Sequence, residues 1–320
     1  MSNATPRISG VILAAGYGRR MLPLTAELPK PLLPVLGTPL FEILVRKLMR
    51  HGAAEIHCNL FHLPERIETF AAGRGWPVRF HRERELLGTG GGIGNMSGSL
   101  SNADSIILHN GDSLADIRYE PAISFHRRRG ALVTLVLLPS GPVANVAVNA
   151  RAEVVAIGDD AGAHAGEARC FGYTGMSVLS AESLAFFPRH RKAQLVEILT
   201  GMIRTKPGSV VGWNAAADGT AHAWGDTGSP AGYLGIHRAI LMDRARFDPV
   251  IEVPPLPLHV GEGAVVDPGA RWTGFCEIGR RAVVERGSRL DNCVVLDDTV
   301  VEGGSIHSNE ILFPGGILRA

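Results

Sequence analysis

From Val260 to Leu296 an apolar residue returns every six positions: Val260, Val266, Trp272, Ile278, Val284, Leu290 and Leu296. A small residue, Ala264, Ala270, Ala282 or Ser288, often stands four places after the anchor. A six-residue period is the mark of a β-helix, in which each short strand forms one wall of a coil and the repeated aliphatics stack inside it. An ordinary β-meander would need the spacing to be fortuitous. The step slips near 300–305, where the coil is expected to end or to carry a loop. The proline-rich run "IEVPPLPLHV" reads as a linker, which places a boundary at about residue 250.

Ahead of that boundary strand and helix signals alternate. Ile8 to Ala15 is a short apolar run closed by glycines, as a buried strand is. "TPLFEILVRKLMRHG" offers Thr38 as N-cap, Pro39 at the first helical position and Gly52 as the stop, with Leu40, Phe41, Leu44, Val45, Leu48 and Met49 in one stripe. Further strands are expected at 55–60, 78–80, 105–109, 132–138, 145–148, 171–179 and 210–213, and helices near 64–72, 121–129 and 193–202. Such alternation predicts a doubly wound α/β layer with right-handed crossovers, whose ligands sit at the carboxyl ends of the strands.

Composition narrows the function classes. With 320 residues, 45% of them apolar, the chain can bury a core and is expected to hold two structural units. The 32 basic and 31 acidic residues leave a net charge of +1, so no global field draws it to nucleic acid or to an anionic membrane. Any anion must be caught locally. Cys58, Cys170, Cys276 and Cys293 lie far apart with no C-x-x-C pair, which argues against a zinc ribbon or a disulfide framework and for reduced thiols. No apolar run approaches a membrane span, and the N-terminus lacks a secretion signal's apolar stretch, so a cytoplasmic protein is expected.

A local anion trap stands directly behind the first strand, in "LAAGYGRRMLPLTAELPKPLLPV", Leu13 to Val35. Gly16 and Gly18 let the backbone turn tightly and bring amides close to a ligand. Arg19, Arg20 and Lys30 add fixed positive charge, and Pro23, Pro29, Pro31 and Pro34 stiffen the loop so that Arg20 and Lys30 are held near one place. A polyphosphate is the first ligand to consider, although glycine turns with surface arginines occur in many loops. Neither a P-loop nor a complete G-x-G-x-x-G is present. In "IILHNGDSLAD", Asp112 follows an apolar strand, where a hard oxygen ligand for Mg²⁺ would face a site; taken alone, the triplet is equally a common turn.

The opening stretch resembles the signature of the sugar-1-phosphate nucleotidyltransferases, L-A-A-G-x-G-[ST]-R-L-x-P-L-T followed by P-K-P-L-L-P-V. Arg19 and Met21 depart from it. The resemblance covers about residues 8 to 240, and several members carry a six-residue repeat as a C-terminal domain. It implies a Rossmann-like doubly wound mixed sheet of nucleotide-diphospho-sugar transferase type over 1–250, then a short left-handed β-helix of hexapeptide repeats over 251–320. "EIHCNLFHLPERI" and "LLGTGGGI" resemble N-acetylmuramate 1-phosphate uridylyltransferase and mannose- or heptose-1-phosphate guanylyltransferases.

The implied reaction joins a nucleoside triphosphate and a sugar 1-phosphate into an NDP-sugar, with Mg²⁺ and release of pyrophosphate. Arg20 would sit on the triphosphate and Lys30 between the leaving and attacking phosphates, while Leu13, Ala14, Ala15, Gly16 and Gly18 would contact the nucleotide. "HAWGDTGSPAGY" matches the family's W-x-D-x-G-[ST]-P, which makes Asp226 the second Mg²⁺ ligand beside Asp112. The glycine-rich "RERELLGTGGGIGN" would pass over the base, with Gly88 allowing approach and Glu83 reading the edge. A carboxylate there favours GTP, whereas the muramate-type likeness favours UTP. For the sugar, "GDDAGAHAGEARCFGYTGM" lacks the lysine of the family's E-K-P segment, which leaves Asn145, Glu167 and Gly175 as candidates. The coil would serve assembly, as a homo-oligomer, rather than acyl transfer. A non-catalytic binding subunit of the same architecture is the alternative.

Overall fold

Nine strands form the main sheet: β1 Ile8–Leu13, β2 Ala53–Leu60, β3 Val78–Arg82, β4 Ser105–Asn110, β5 Val133–Leu138, β6 Ala144–Val148, β7 Val154–Ile157, β8 Arg169–Leu179 and β9 Val210–Asn214. The computed structural model describes residues 7–139, 144–164, 168–247 and 251–320. The sheet runs β7-β6-β8-β4-β1-β2-β3, with β5 also along β8 and β9 on β5. Pairing is parallel across β4-β1-β2-β3, where β2, β3 and β4 each follow a helix, and β8 runs antiparallel to β4, β5 and β6. The result is α/β with a mixed central sheet.

The helices are α1 Leu40–Arg50, α2 Pro64–Ala71, α3 Gly88–Leu100, α4 Tyr119–Arg129, α5 Leu195–Thr205 and α6 Pro230–Leu241. In α1 the stripe Leu40, Phe41, Leu44, Val45 and Leu48 is fully buried, whereas Met49 is 40% exposed. Gly52 ends the helix at φ 85, its N–H donating to Met49 O. Thr38 is not its N-cap and Pro39 is not its first residue. They form a strand pair with Pro34–Val35, turned by Leu36 at φ 46 and Gly37 at φ 74, and α1 starts only at Leu40, whose N–H reaches Leu33 O at 3.1 Å. Two positive φ values in a two-residue connection suit the twist of a hairpin, and that preference overrides the cap signal.

By compactness the chain falls into two units that do not follow the linear order: one of Met1–Gly16, Leu44–Gly111 and Ile117–His222, the other of Tyr17–Ile43, Asp112–Asp116 and Ala223–Ala320. The first holds the main sheet and a core built from Val11, Ile106, Leu108, Leu135, Val146 and their neighbours on α3 and α5. The second holds the short antiparallel pair Ser113–Ala115 and Trp224–Asp226, α6, and a β-rich C-terminal region.

In that C-terminal region strands pair in parallel at a regular step. Leu258 pairs with Cys276 and Arg271 with Arg289, eighteen residues on; Cys276 pairs with Cys293 and Arg289 with Ile306, seventeen on. Ile278, Ala282, Val284 and Leu290 lie in its core with Cys276, Cys293, Val295, Val301 and Leu312, and Val266 and Trp272 pack against them. Val260 departs from the expected stack at 45% exposure, because it ends the first strand, which is partnered on one side only. The step changes at Asp291–Cys293, where Asn292 at φ 51 absorbs the missing residue, rather than near 300–305. Parallel pairing continues through Ile306–Ser308 and Glu310–Phe313, and the antiparallel partner Gly316–Arg319 closes the sheet.

Candidate active site

In the first unit, the loop after β1 is set by backbone proximity. Gly111 N–H donates to Leu13 O at 2.9 Å, and a Cβ on Gly111 would come 2.6 Å from that oxygen. The glycine of N-G-D is therefore what lets the end of β4 close on the end of β1. Ala14 N–H donates to Asn59 Oδ1 (2.9 Å), Asn59 Nδ2 to Glu83 Oε1 (2.7 Å), and Leu87 N–H to Glu83 Oε2 (2.9 Å). Burial pushes the Glu83 carboxyl above its ordinary range, against the pull of these two donors. Both its oxygens face protein groups, so Glu83 holds Asn59 and the entry to α3. Ala15 is buried, and at Gly16 an added Cβ would meet no protein atom within 4 Å, which leaves that backbone open to a ligand.

From Gly88 onward the glycine-rich stretch is helical. Gly88, at φ 73, opens α3, and a Cβ there would come 2.7 Å from Ala193 O. Added Cβ atoms would come 2.4 Å from Ile198 Cδ1 at Gly90, 2.4 Å from Arg191 O at Gly91 and 2.1 Å from Pro188 O at Gly94. The glycines let the 186–198 segment lie on the helix backbone, and this packing offsets their poor helix propensity.

In the second unit the charged side chains converge. Gly18 stands at φ 67 under Thr25, whose Oγ1 donates to Gly18 O at 2.9 Å. Arg19 lies over the Tyr17 ring at 5.2 Å. Lys30 sits in a single 3₁₀ turn, Lys30–Leu32, fixed by Leu32 N–H to Pro29 O and Leu33 N–H to Lys30 O, and its Nζ meets Asp112 Oδ2 at 2.5 Å. The Lys30 side chain is 12% exposed and that of Asp112 34%. Pairing of Ser113 with Asp226 aligns the two acidic segments, and Thr227 donates to Asp112 O from both its N–H (2.8 Å) and its Oγ1 (3.2 Å). Asp226 Oδ1 accepts from Gly228 N–H at 2.6 Å, in a turn that runs into Ser229, the N-cap of α6, whose Oγ accepts from Gly232 N–H. A Cβ on Gly228 would lie 2.5 Å from Asp226 Oδ1 and 2.6 Å from Arg20 Nη2, so guanidinium and carboxylate share that corner. Lys30 is thus paired with Asp112, Arg20 lies beside Asp226 at the Gly228 turn, and Thr227 ties the two acidic segments through the Asp112 carbonyl.

Two cations beside two carboxylates can hold phosphate oxygens and one hard divalent ion. Among the described residues no group of three His, Cys, Asp or Glu side chains could hold a metal by itself. A carboxylate pair that needs substrate oxygens to complete its shell is the donor set Mg²⁺ uses with phosphates.

Of the sugar candidates, Asn145 Oδ1 accepts from Tyr173 N–H (3.3 Å) and so ties β6 to β8. Gly175, at φ 81, lies where the register between β8 and β5 shifts from Tyr173 to Ser177. Glu167 lies outside the described residues. Sequence reasoning missed Asn59, Gly111 and Thr227. A polar residue in the buried run "IHCNL" was a usable signal for Asn59, whereas Thr227 carries none beyond its neighbour Asp226.

Residues 9–145 match the family described as Nucleotidyl transferase. Over 321 aligned residues, 95% of this chain and 84% of the relative, the chain is 29% identical to mannose-1-phosphate guanylyltransferase of Mycobacterium tuberculosis. Over 142 residues, 40% of this chain but only 37% of the relative's length, it is 32% identical to UTP–glucose-1-phosphate uridylyltransferase of Synechocystis sp.. HddC from Yersinia pseudotuberculosis, complexed with GMP-PN, shares the fold with a TM-score of 0.56 over 71% of this chain and 97% of HddC, at 22% identity. Among the described residues no helix is long and apolar enough to cross a membrane. Over residues 9–145 the chain is similar to the nucleotidyl transferase family.

Proposed function

We propose that the protein makes an NDP-sugar from a nucleoside triphosphate and a sugar 1-phosphate, with GTP and a mannose-type sugar 1-phosphate as the pair. The convergence of Lys30 on Asp112 and of Arg20 on Asp226 carries this reading. An oxygen of the sugar 1-phosphate attacks the α-phosphorus in line; a new P–O bond forms, the bond to the bridging αβ oxygen breaks, and pyrophosphate leaves with that electron pair. No protein nucleophile is needed, only positioning and neutralisation of spread negative charge. Arg20 holds the triphosphate, and Lys30 sits between attacking and leaving phosphates. Asp112 and Asp226 would hold Mg²⁺, which when bound would neutralise charge on the α-phosphate. Leu13, Ala14, Ala15, Gly16 and Gly18 meet the nucleotide through their backbone; Gly88 and Glu83 shape the base side, Glu83 through Asn59. Asn145, Glu167 and Gly175 are assigned to the sugar.

GTP is preferred because the relative aligned over nearly the whole chain is a guanylyltransferase. UTP is the second reading, favoured by the uridylyltransferase relative. A non-catalytic subunit would be expected to have lost charges from the centre, and Arg20, Lys30, Asp112 and Asp226 are all present. We assign 1–250 to catalysis and 251–320 to a left-handed β-helix; parallel pairing at steps of about three hexads supports the latter. The four cysteines are free, in keeping with the cytoplasmic location assigned. Pyrophosphate release from GTP, UTP, CTP and dTTP against a panel of sugar 1-phosphates with Mg²⁺ tests the assignment. Release with GTP and mannose 1-phosphate is expected; silence with every pair would favour the non-catalytic reading.

A further inference from the structure

The signature hairpin ends in a contact that the reaction scheme does not use. Glu277 lies in the strand Arg271–Ile278 of the C-terminal region and is 1% exposed. Its neighbours Cys276 and Ile278 face the apolar core, so the alternation of a strand turns the carboxylate to the other side. There Gly37 N–H donates to Oε1 at 3.0 Å and Leu36 N–H to Oε2 at 3.2 Å, the two successive amides of the turn between Pro34–Val35 and Thr38–Pro39. His237 Nε2 of α6 lies against Oε2, and His259 Nδ1 is 3.9 Å from Oε1. His237 Nδ1 donates to Tyr233 O (2.9 Å), and Tyr233 O–H, one helical turn earlier on the same face, donates to Pro34 O at the hairpin's stem.

A carboxylate this deep is costly unless paired and hydrogen-bonded, and removing its partners strands it. The facing His237 and His259 and the Gly37 amide hold the carboxyl below its usual range against the opposing effect of burial. The hairpin it grips is continuous with the turn that carries Lys30, through Leu33 N–H to Lys30 O and Leu40 N–H to Leu33 O.

We propose that Glu277 is a positioning residue for the transferase reaction: from the C-terminal region it fixes the tip of the Pro34–Pro39 hairpin, and thereby the place of the Lys30 ammonium. α6 fixes the stem of the same hairpin and begins at the turn that holds Asp226. The C-terminal region is then part of the apparatus that aligns Lys30, and a displacement of the hairpin lowers turnover rather than nucleotide binding. This rests on the transferase reading of the Lys30–Asp112 site.

Full-length wild type, Glu277→Gln and Leu290→Ala are compared by hydrogen–deuterium exchange and by steady-state pyrophosphate release. A glutamine can accept only one of the two turn amides well, while Leu290 lies in the apolar core of the same region. Glu277→Gln is expected to speed exchange over 30–39 and to lower kcat by about tenfold or more, with the nucleotide KM within about twofold. Leu290→Ala is expected to lower the melting temperature but to leave exchange over 30–39 and kcat at wild-type values. Unchanged exchange over 30–39 in Glu277→Gln, unchanged kcat, or the same kcat loss in Leu290→Ala would overturn the proposal. If wild type releases no pyrophosphate with any pair, the transferase reading fails, and the exchange comparison still decides whether Glu277 sets the hairpin.

Discussion

At residue scale the site depends on side chains whose places are set by backbone approach. Asp112 follows a glycine that touches the Leu13 carbonyl, and Asp226 precedes a threonine that bonds the Asp112 carbonyl twice. Replacing Gly111 by alanine puts a Cβ 2.6 Å from Leu13 O, so the ends of β1 and β4 must part. The variant is expected to lose about 1–3 kcal/mol, a melting-temperature fall of several degrees in calorimetry, and to lose pyrophosphate release at temperatures where it is still folded. Arg20 and Lys30 were legible because one short stretch concentrates charge, glycine and proline. Asp226 was legible only by resemblance, since nothing local says that it pairs beside Ser113. The hydrogen bond of Glu83 to Asn59, on a neighbouring strand 24 residues away, is a contact that no short-range pattern reveals.

Among the elements, α3 separates glycines that are needed from one that is not. Gly94→Ala would bring a Cβ 2.1 Å from Pro188 O and is expected to cost about 1–3 kcal/mol, whereas exposed Gly98 has no atom within 4 Å of its added Cβ. Gly98→Ala is expected to stabilise by about 0.5–1 kcal/mol, both effects being read from urea midpoints. The buried strands and α1 were legible from apolar runs and a helical stripe. The glycine run was not, because locally it favours a loop and only the 186–198 segment lying on it makes a helix the better choice. α4 carries a titrating group: His126 is buried with Nδ1 2.9 Å from Thr134 Oγ1. Burial first, then Arg127, pushes its pKa down to about 4 against the opposing pull of Glu182. The unfolded chain takes up this proton near pH 6.5 and the folded one does not, so stability is full above that pH and falls as pH drops toward 4, by about 3 kcal/mol at most. Chemical denaturation between pH 7 and 4 is expected to show a steeper loss in wild type than in His126→Gln.

For the whole molecule, compactness joins residues that sequence order keeps apart: the signature loop and the N-G-D aspartate group with the C-terminal region. The six-residue period made the β-rich character of that region legible, but not its grip on Leu36 and Gly37, because an outward-facing glutamate in a strand looks like a solvated one. Ending the chain at residue 250 would strip Glu277 from those amides and uncover α6, which packs on the strands Arg271–Ile278 and Arg289–Val295. The shortened chain is expected to melt well below the full chain, and if the region also drives assembly, light scattering of the full chain will give a multiple of 34.1 kDa. The central claim, that one cluster of two cations and two carboxylates transfers the nucleotidyl group, is tested most directly by pyrophosphate release against Mg²⁺ concentration in wild type, Asp112→Ala, Asp226→Ala and the exposed-loop control Asp218→Ala. The account predicts saturable Mg²⁺ dependence, losses of about a hundredfold or more in the first two variants, and wild-type rates in the third; release that survives loss of either Asp112 or Asp226 would contradict it.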